Sequence, residues 1–278
     1  MPFSAIHTKK TLSPVALCAA AVLCAVPAFA EDEKIVSVST AEELREALTK
    51  TTDGSDGNDP TAVYDGYTVK IAVPTLEVPL APGGVSESNP NGAIVPAATD
   101  FTILGDGSAA TTLKTAGAGN LFGLPGTRCA FGKLTIAGSA TDGDLENADA
   151  RVAILELADV KVLGDTTFSD RFFAADAMAA GAIFYAESAL DLIELDAADG
   201  AIAFKNVVTY GKTVTKTDEE TGETSTTKLT AAGGAIFLSG TLKISGANAV
   251  AFENVRAESA EADALGGALY VTAAADEP

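Results

Sequence analysis

Short alternating runs dominate this chain. Tyr67-Thr68-Val69-Lys70-Ile71-Ala72-Val73 places apolar residues at every second position, the period of a strand with one buried face. Ile35-Val36-Ser37-Val38, Phe101-Thr102-Ile103-Leu104-Gly105, Thr111-Thr112-Leu113-Lys114, Asn120-Leu121-Phe122-Gly123 and Leu134-Thr135-Ile136-Ala137-Gly138 read the same way. They are punctuated by Gly, Asp, Asn and Pro, residues of turns. One segment departs from this period. Thr40-Ala41-Glu42-Glu43 has the form of a capping box, and Leu44, Ala47 and Leu48 share one helical face, which predicts a short amphipathic helix over 40–50. Residues 51–60 read as a polar loop and 79–97, rich in Pro, Gly, Ser and Asn, as a long loop or insertion. No tight two-residue hairpin turns separate the strands, which favours stacked parallel strands over a meander. The expectation is an all-β fold, a right-handed parallel β-helix (solenoid) with a short N-terminal capping helix over its otherwise exposed end.

The second half of the chain repeats itself. Gly181-Ala182-Ile183-Phe184, Gly233-Gly234-Ala235-Ile236-Phe237 and Gly266-Gly267-Ala268-Leu269-Tyr270 read as three copies of one phrase, the first without its leading glycine. Ala203-Phe204-Lys205-Asn206-Val207 and Ala251-Phe252-Glu253-Asn254-Val255 are two copies of another, and Thr167-Phe168-Ser169-Asp170 is a weaker third. Gly233 and Gly266 lie 33 residues apart. The middle unit is longer by the polar stretch 212–228, and without it the same period holds. Each phrase has a mechanical reason. The glycines allow positive φ or close packing, Phe204 and Phe252 would stack inside, and Asn206 and Asn254 would occupy turns where Asn accepts the left-handed conformation and can bond neighbouring backbone. A single unit cannot bury its own apolar face, so its neighbours must cover it.

These phrases resemble the repeats of the chlamydial-type polymorphic outer membrane proteins, in which G-G-A-[ILV] alternates with F-x-x-N. The resemblance covers about residues 165–271. Gly233-Gly234-Ala235-Ile236 and Gly266-Gly267-Ala268-Leu269 match the first motif in full. The second motif is altered, because Asn206 and Asn254 follow Phe by two positions and Val207 and Val255 stand where that family has Asn. The resemblance implies a β-helical passenger displayed at the cell surface, acting mainly in adhesion and carried there by a C-terminal β-barrel. No barrel-like series of strands follows the last phrase. On this reading the β-helix is incomplete at its C-terminus, and it reaches the membrane only through a missing C-terminal barrel or a partner transporter.

The N-terminus sets the compartment. His7, Lys9 and Lys10 precede an apolar stretch from Leu12 to Val26, and Ala28-Phe29-Ala30 offers a small-x-small site, so a signal peptide over 1–30 with cleavage after Ala30 is expected. The remaining division is a strand, capping helix and loop over 31–60 and a β-helix over 61–278. Export by the Sec pathway would leave the protein at the cell surface, in the outer membrane or secreted, and periplasmic if the chain is truncated. The full chain carries a formal charge of −20. Cleavage removes Lys9, Lys10 and no acid, leaving −22. A surface so acidic repels nucleic acid and anionic lipid. With 47% hydrophobic residues the chain still has a core to build. Cleavage also removes the only histidine and two of three cysteines, so Cys129 has no disulfide partner and reads as a small buried hydrophobe.

Candidate chemistry is sparse. Residues 142–149 (DGDLENAD) have the acids of a calcium loop without its spacing. Asp53, Asp56 and Asp59 read as loop acids. Gly105-Asp106-Gly107 precedes no helix and is no phosphate cradle. Arg128, Arg151 and Arg171, with Asp165, Asp170, Asp176, Asp191, Asp196 and Asp199, are the groups from which a polysaccharide lyase or hydrolase site would have to be drawn. No catalytic, metal or cofactor residues are assigned, and no cofactor is expected. The reading is a non-enzymatic scaffold for adhesion or macromolecular binding, its partner a protein or glycan on a host or neighbouring cell. The 212–228 insert is its main loop feature. A polysaccharide-active enzyme and a fragment of a longer autotransporter are the alternatives.

Overall fold

Alternation along short runs becomes parallel sheet here, because each run pairs with the run one circuit earlier and one circuit later. The computed structural model describes residues 35–49, 67–83, 89, 91–107, 110–175, 179–218 and 221–272, all within the unit Glu33–Pro278. The chain is mostly β, with one helix among the described residues. Residues 1–34 with Ala30, residues 50–66 with Asp53, Asp56 and Asp59, Asp176, and the residues after Thr272 lie outside them.

Three main sheets are visited in rotation. The first sheet holds Ile35–Val38, Tyr67–Ile71, Asp100–Gly105, Arg128–Gly132, Asp159–Leu163, Leu192–Asp196 and Thr241–Ser245, in that order. The second runs from Thr75–Pro79 through Thr112–Ala116, Thr135–Ala137, Thr166–Ala175 and Ile202–Gly211 to Val250–Ser259. The third comprises Phe122–Pro125, Ala153–Glu156, Phe184–Ala186, Ile236–Leu238 and Leu269–Val271. Short pairs at Ala179–Ala180, Ala231–Ala232 and Ala264–Leu265 form a fourth, smaller sheet. Every pairing within these sheets is parallel.

Register turns the sequence alternation into columns. Tyr67, Phe101, Cys129, Val160 and Ile193 stand one above another, as do Val69, Ile103, Phe131, Val162 and Leu195. All are buried. On the second sheet the inward column is Leu76, Leu113, Ile136, Phe168, Phe204 and Phe252. Phe168 and Phe204 stack at 5.1 Å and 13°, and Phe204 and Phe252 at 4.7 Å and 5°. Cys129 therefore fills a place in an apolar column, and burial pushes its thiol up, far from any reactive thiolate.

The helix Ala41–Thr49 forms where the capping box lies. The Glu43 carboxylate accepts from the Ser39 and Thr40 amides, and the Thr40 hydroxyl accepts from the Glu43 amide. Leu44 and Leu48 are fully buried in the core cluster. Arg45 ties the helix to the first circuit by donating to the carbonyls of Gly92, at 2.6 Å, and Pro79, at 2.8 Å.

The glycine phrases align one residue away from the alignment suggested by identity. Phe184 pairs with Ile236 and Ile236 with Leu269, so Gly181 stands with Gly233 and Gly266, and Ala182 stands with Gly234 and Gly267. Gly181, Gly233 and Gly266 have φ of 55°, 59° and 70°. Gly181 is thus the leading glycine, and Ala182 replaces the second. The offset matters because a one-residue slip exchanges the two faces of a strand. Phe184 and Ile236 point inward at 0% exposure, while Tyr185, Phe237 and Tyr270 form an outer stack with centroids 5.3 and 5.4 Å apart.

Candidate functional site

The long strands of the second sheet bend at one residue each. Asp170, Asn206 and Asn254 have φ of 53°, 53° and 52° and drop out of the pairing register on either side of them. Asn and Asp accept this left-handed geometry better than most residues. Their side chains then meet along the edge. The Asn206 amide donates to Asp170 Oδ1 at 2.9 Å, and the Asn254 amide donates to Asn206 Oδ1 at 3.1 Å. Arg256 continues the line, donating to Asn254 Oδ1 at 3.0 Å. Replacing Asn206 by Ala is expected to cost about 1–2 kcal/mol from the left-handed φ and the lost bonds. Asn206→Gly should recover roughly 1 kcal/mol of that by relieving the backbone. Urea unfolding of the two variants measures the difference.

A loop crosses the outside of this bend. Asp142 reaches Arg256 at 2.5 Å, and Arg256 also bonds Glu258. Between loop and bend lies a cleft of about 220 Å³ lined in part by Asp142, Asp170, Phe172, Asn206, Asn254 and Arg256. Its polar groups largely bond one another. The loop itself is pinned by Asp149, which is 3% exposed and accepts from the amides of Ser139, Ala140 and Phe172. Asp144 accepts from the amides of Glu146 and Asn147 and from the Asn147 side chain, and these bonds, led by that side chain, hold its carboxyl below the usual range. Asp144 and Asp149 thus act as backbone caps and Asp142 as an ion-pair partner. Among the described residues no three His, Cys, Asp or Glu side chains are grouped to hold a metal ion.

The three candidate arginines are dispersed. Arg171 is 1% exposed and donates to the Ala150 carbonyl at 2.5 Å and to the Thr115 hydroxyl. Burial lowers its pKa, opposed by the charge of Asp149. Arg151 lies between the rings of Phe173 and Tyr185, 4.3 and 4.4 Å from their centroids, and donates to the Ala180 carbonyl. Arg128 lies on the outer face of the first sheet, between Asp100 and Asp159 in register and 3.7 Å from Asp100. The aspartates are equally scattered. Asp191 is buried and accepts from the Ala158 and Ser188 amides. Asp196 pairs with Lys161 at 2.7 Å, whose hydrogen bond keeps that carboxyl below its ordinary range. Asp165 is a left-handed residue whose carboxylate lies against Gly200, next to Asp199. Asp170 and Arg171, adjacent in sequence, line one cleft, and Arg128 lines another with Asp100 and Asp159. Asp106 pairs with Lys70 at 2.8 Å just after the strand that ends at Gly105.

The insert is an antiparallel hairpin, Thr213–Thr217 against Thr224–Lys228. Its side chains are exposed except for half-buried Val214. At its base Glu261 reaches Lys228 at 3.2 Å and Thr213 at 3.5 Å. At its tip Asp218 accepts from the Thr221 amide at 2.8 Å.

Sequence reasoning missed Asp149 and Asp191 as buried caps and missed the outer aromatic stack. The stack had a signal in the aromatics that end two of the glycine phrases, Phe237 and Tyr270, while its third member, Tyr185, follows the end of the first. The caps had none, since their role depends on which amides the neighbouring circuit leaves unpaired. Fold and surface together define a mostly-β protein of parallel sheets, with a side-chain ladder joining the bends of the second sheet and, among the described residues, a polar hairpin of Thr213–Thr217 and Thr224–Lys228. No family model, curated protein or solved structure matches the chain.

Proposed function

We propose that this chain is an exported right-handed parallel β-helix of the polymorphic outer membrane protein type, serving as a stiff scaffold for adhesion or macromolecular binding at the cell surface or in the medium. The observation that carries the reading is the in-register column Phe168, Phe204 and Phe252, with the ladder Asp170, Asn206 and Asn254 beside it. Identical side chains stacked circuit upon circuit are what a repeat solenoid requires. The leader-like residues 1–30 support export, and the surface acids suit a solvated exterior. Among the described residues no helix is long and apolar enough to cross a membrane.

The polysaccharide-active reading is weakened at two of its three candidate arginines, while Arg128 stays exposed between Asp100 and Asp159. Arg171 is committed to the interior and Arg151 to an aromatic sandwich, which leaves neither free to meet a substrate beside the scattered aspartates. Two measurements test the proposal. Protease treatment of intact expressing cells should release the chain, with Glu31 as the N-terminal residue of the exported form. Incubation of the purified chain with polygalacturonate and calcium should release no unsaturated or reducing ends. An uncleaved chain confined to the cytoplasm overturns the export claim, and catalytic release of chain ends overturns the scaffold claim.

A further inference from the structure

Two neighbouring circuits of the first sheet differ in the size of what they turn outward. In the circuit of Arg128–Gly132 the outward residues are Gly126, Arg128, Ala130 and Gly132. In the next circuit they are Leu157, Asp159, Lys161 and Leu163. Register sets Gly126 beside Leu157, Arg128 beside Asp159 and Ala130 beside Lys161. Gly126 and Leu157 have φ of 57° and 61°. That geometry suits glycine, and a leucine in it is strained. Leu157 is nevertheless 60% exposed, so no burial within its own chain offsets the strain. Strain held at an exposed apolar residue points to a contact made outside the single chain. Leu190, 76% exposed, extends the apolar corner by one circuit. Beside the Leu157 knob is a hollow. A Cβ built on Gly126 meets nothing within 4 Å. A cleft of about 380 Å³ lies there, lined in part by Thr99, Gly126, Arg128 and Leu157. A second cleft, of about 280 Å³, is lined in part by Thr102 and Ala130.

We propose that this face packs on the same face of a second copy, about a two-fold axis that runs along the strands, midway between these two circuits. Such an axis reverses the order of the circuits and keeps each residue's place along its strand. Leu157 of each copy then enters the hollow over Gly126 of the other. Arg128, whose side chain is 71% exposed and 3.7 Å from Asp100, meets Asp159 of the other copy, and this pair occurs twice. Lys161 lies over Ala130 of the second copy and not over another lysine. Each pair is large against small or positive against negative. The contact is isologous and closes at two copies.

The fourth outward position is filled within each copy. A Cβ on Gly132 would meet the side chains of Leu104 and Leu163 at 2.9 and 3.1 Å, so those leucines already cover it. The matched area spans only a few circuits, at the small end of specific interfaces, and the dimer is accordingly weak. The inference rests on the fold and stands whether or not the chain is exported.

Sedimentation velocity on the purified chain at about 0.15 M salt, where repulsion beyond about 8 Å is screened, measures the association. A concentration-dependent dimer is expected, with no larger species. Leu157→Gly removes the knob and relaxes the backbone, so the fold is kept while the dimer weakens at least about tenfold. Arg128→Asp sets an acid against Asp159 of the other copy, and Asp159→Arg sets an arginine against Arg128. Each variant alone should weaken the dimer. Mixed in equal amounts, the two restore both facing pairs and should associate about as well as the unaltered chain. Lys205→Asp makes the same charge change as Arg128→Asp on the second sheet and should leave the dimer unchanged. A chain that stays monomeric up to about 1 mM overturns the proposal, as that limit corresponds to negligible affinity. So does a dimer unaffected by Leu157→Gly, a mixture that associates no better than its two variants alone, an equal loss in Lys205→Asp, or assembly into open-ended species.

Discussion

Phe204→Ala should cost about 3–5 kcal/mol, the range for truncating a fully buried aromatic. Phe204 has 0% exposure and lies between Phe168 and Phe252, with ring centroids 5.1 and 4.7 Å away. Removing it opens a void in the middle of a column, and the rings on either side cannot close the gap, because each is held in register by its own strand. Stacked aromatic pairs add roughly 0.5–1.5 kcal/mol beyond area burial, and this substitution breaks two of them. Phe252→Ala removes one stack from a partly buried position at the end of the column and should cost about half as much. Phe204→Leu keeps most of the volume but loses the same two stacks, and should cost roughly 1–3 kcal/mol. Urea unfolding followed by two spectroscopic probes measures all three. Phe204→Ala is expected to be the most destabilised of the three, well below both Phe252→Ala and Phe204→Leu in stability.

Gly233→Ala is the second large effect. Gly233 has φ +59°, and a Cβ built on it overlaps the carbonyl oxygen of Ile236 three residues on. The obstruction is backbone, so no side chain can swing aside. The left-handed φ costs a residue with a Cβ roughly 1–2 kcal/mol, and the overlap adds about 1–3 kcal/mol as in an overpacked core. Gly222 separates these two contributions. Its φ is +70°, yet a Cβ there meets nothing within 4 Å. Gly222→Ala should therefore lose only the conformational part, about 1 kcal/mol. Equal losses at the two positions would show that the close approach at Gly233 carries no weight.

The legible part of this fold is the part that repeats. Tyr67–Ile71 and Asp100–Gly105 were readable from alternation alone because their outward residues are polar or few. Phe204, Phe252, Asn206 and Asn254 were readable because one phrase recurs with its own chemistry, a ring inside and an amide at a bend. Arg128–Gly132 was not readable as a strand. Its outward positions include Ala130 and Gly132, which mask the alternation set by Cys129 and Phe131. The alignment of Gly181 was misread because Ala182 supplies an Ala-Ile-aromatic string one place early, and identity outweighs register when only the string is seen.

The site-level reading was legible to a lesser degree. A surface aspartate and a buried capping aspartate look alike in sequence. Asp191 is buried because the Ala158 amide, 33 residues earlier, lacks a partner from its own sheet and takes one from the next circuit. Arg171 is buried for a similar reason, since Ala150 and Thr115 offer it acceptors from two other circuits. Such roles arise only after stacking, when groups far apart in sequence become neighbours. The rows of alternating charge on the first sheet follow the same logic. Asp100, Arg128 and Asp159 share one row, and Lys161, Glu194 and Lys243 another. Each pair is worth only about 0.2–1 kcal/mol at an exposed position, and their use is to let a strongly acidic chain stack without like charges meeting.

Stacking of circuits in register requires residue 205 to lie directly beside residue 253, one circuit away. Lys205 and Glu253 are partners in the parallel ladder and form an outward ion pair at 3.3 Å. Cysteines at these two positions, in a chain whose cysteine among the described residues, Cys129, is buried, can be tested for disulfide formation under mild oxidation. Neighbouring strands lie about 4.8 Å apart, within the 4.4–6.8 Å that a disulfide spans between Cα atoms, whereas a position two residues along lies about 8 Å away. In-register stacking predicts rapid closure for Lys205→Cys with Glu253→Cys and little for Lys205→Cys with Ala251→Cys. Failure of the first pair to close, or equal closure of both, would contradict it.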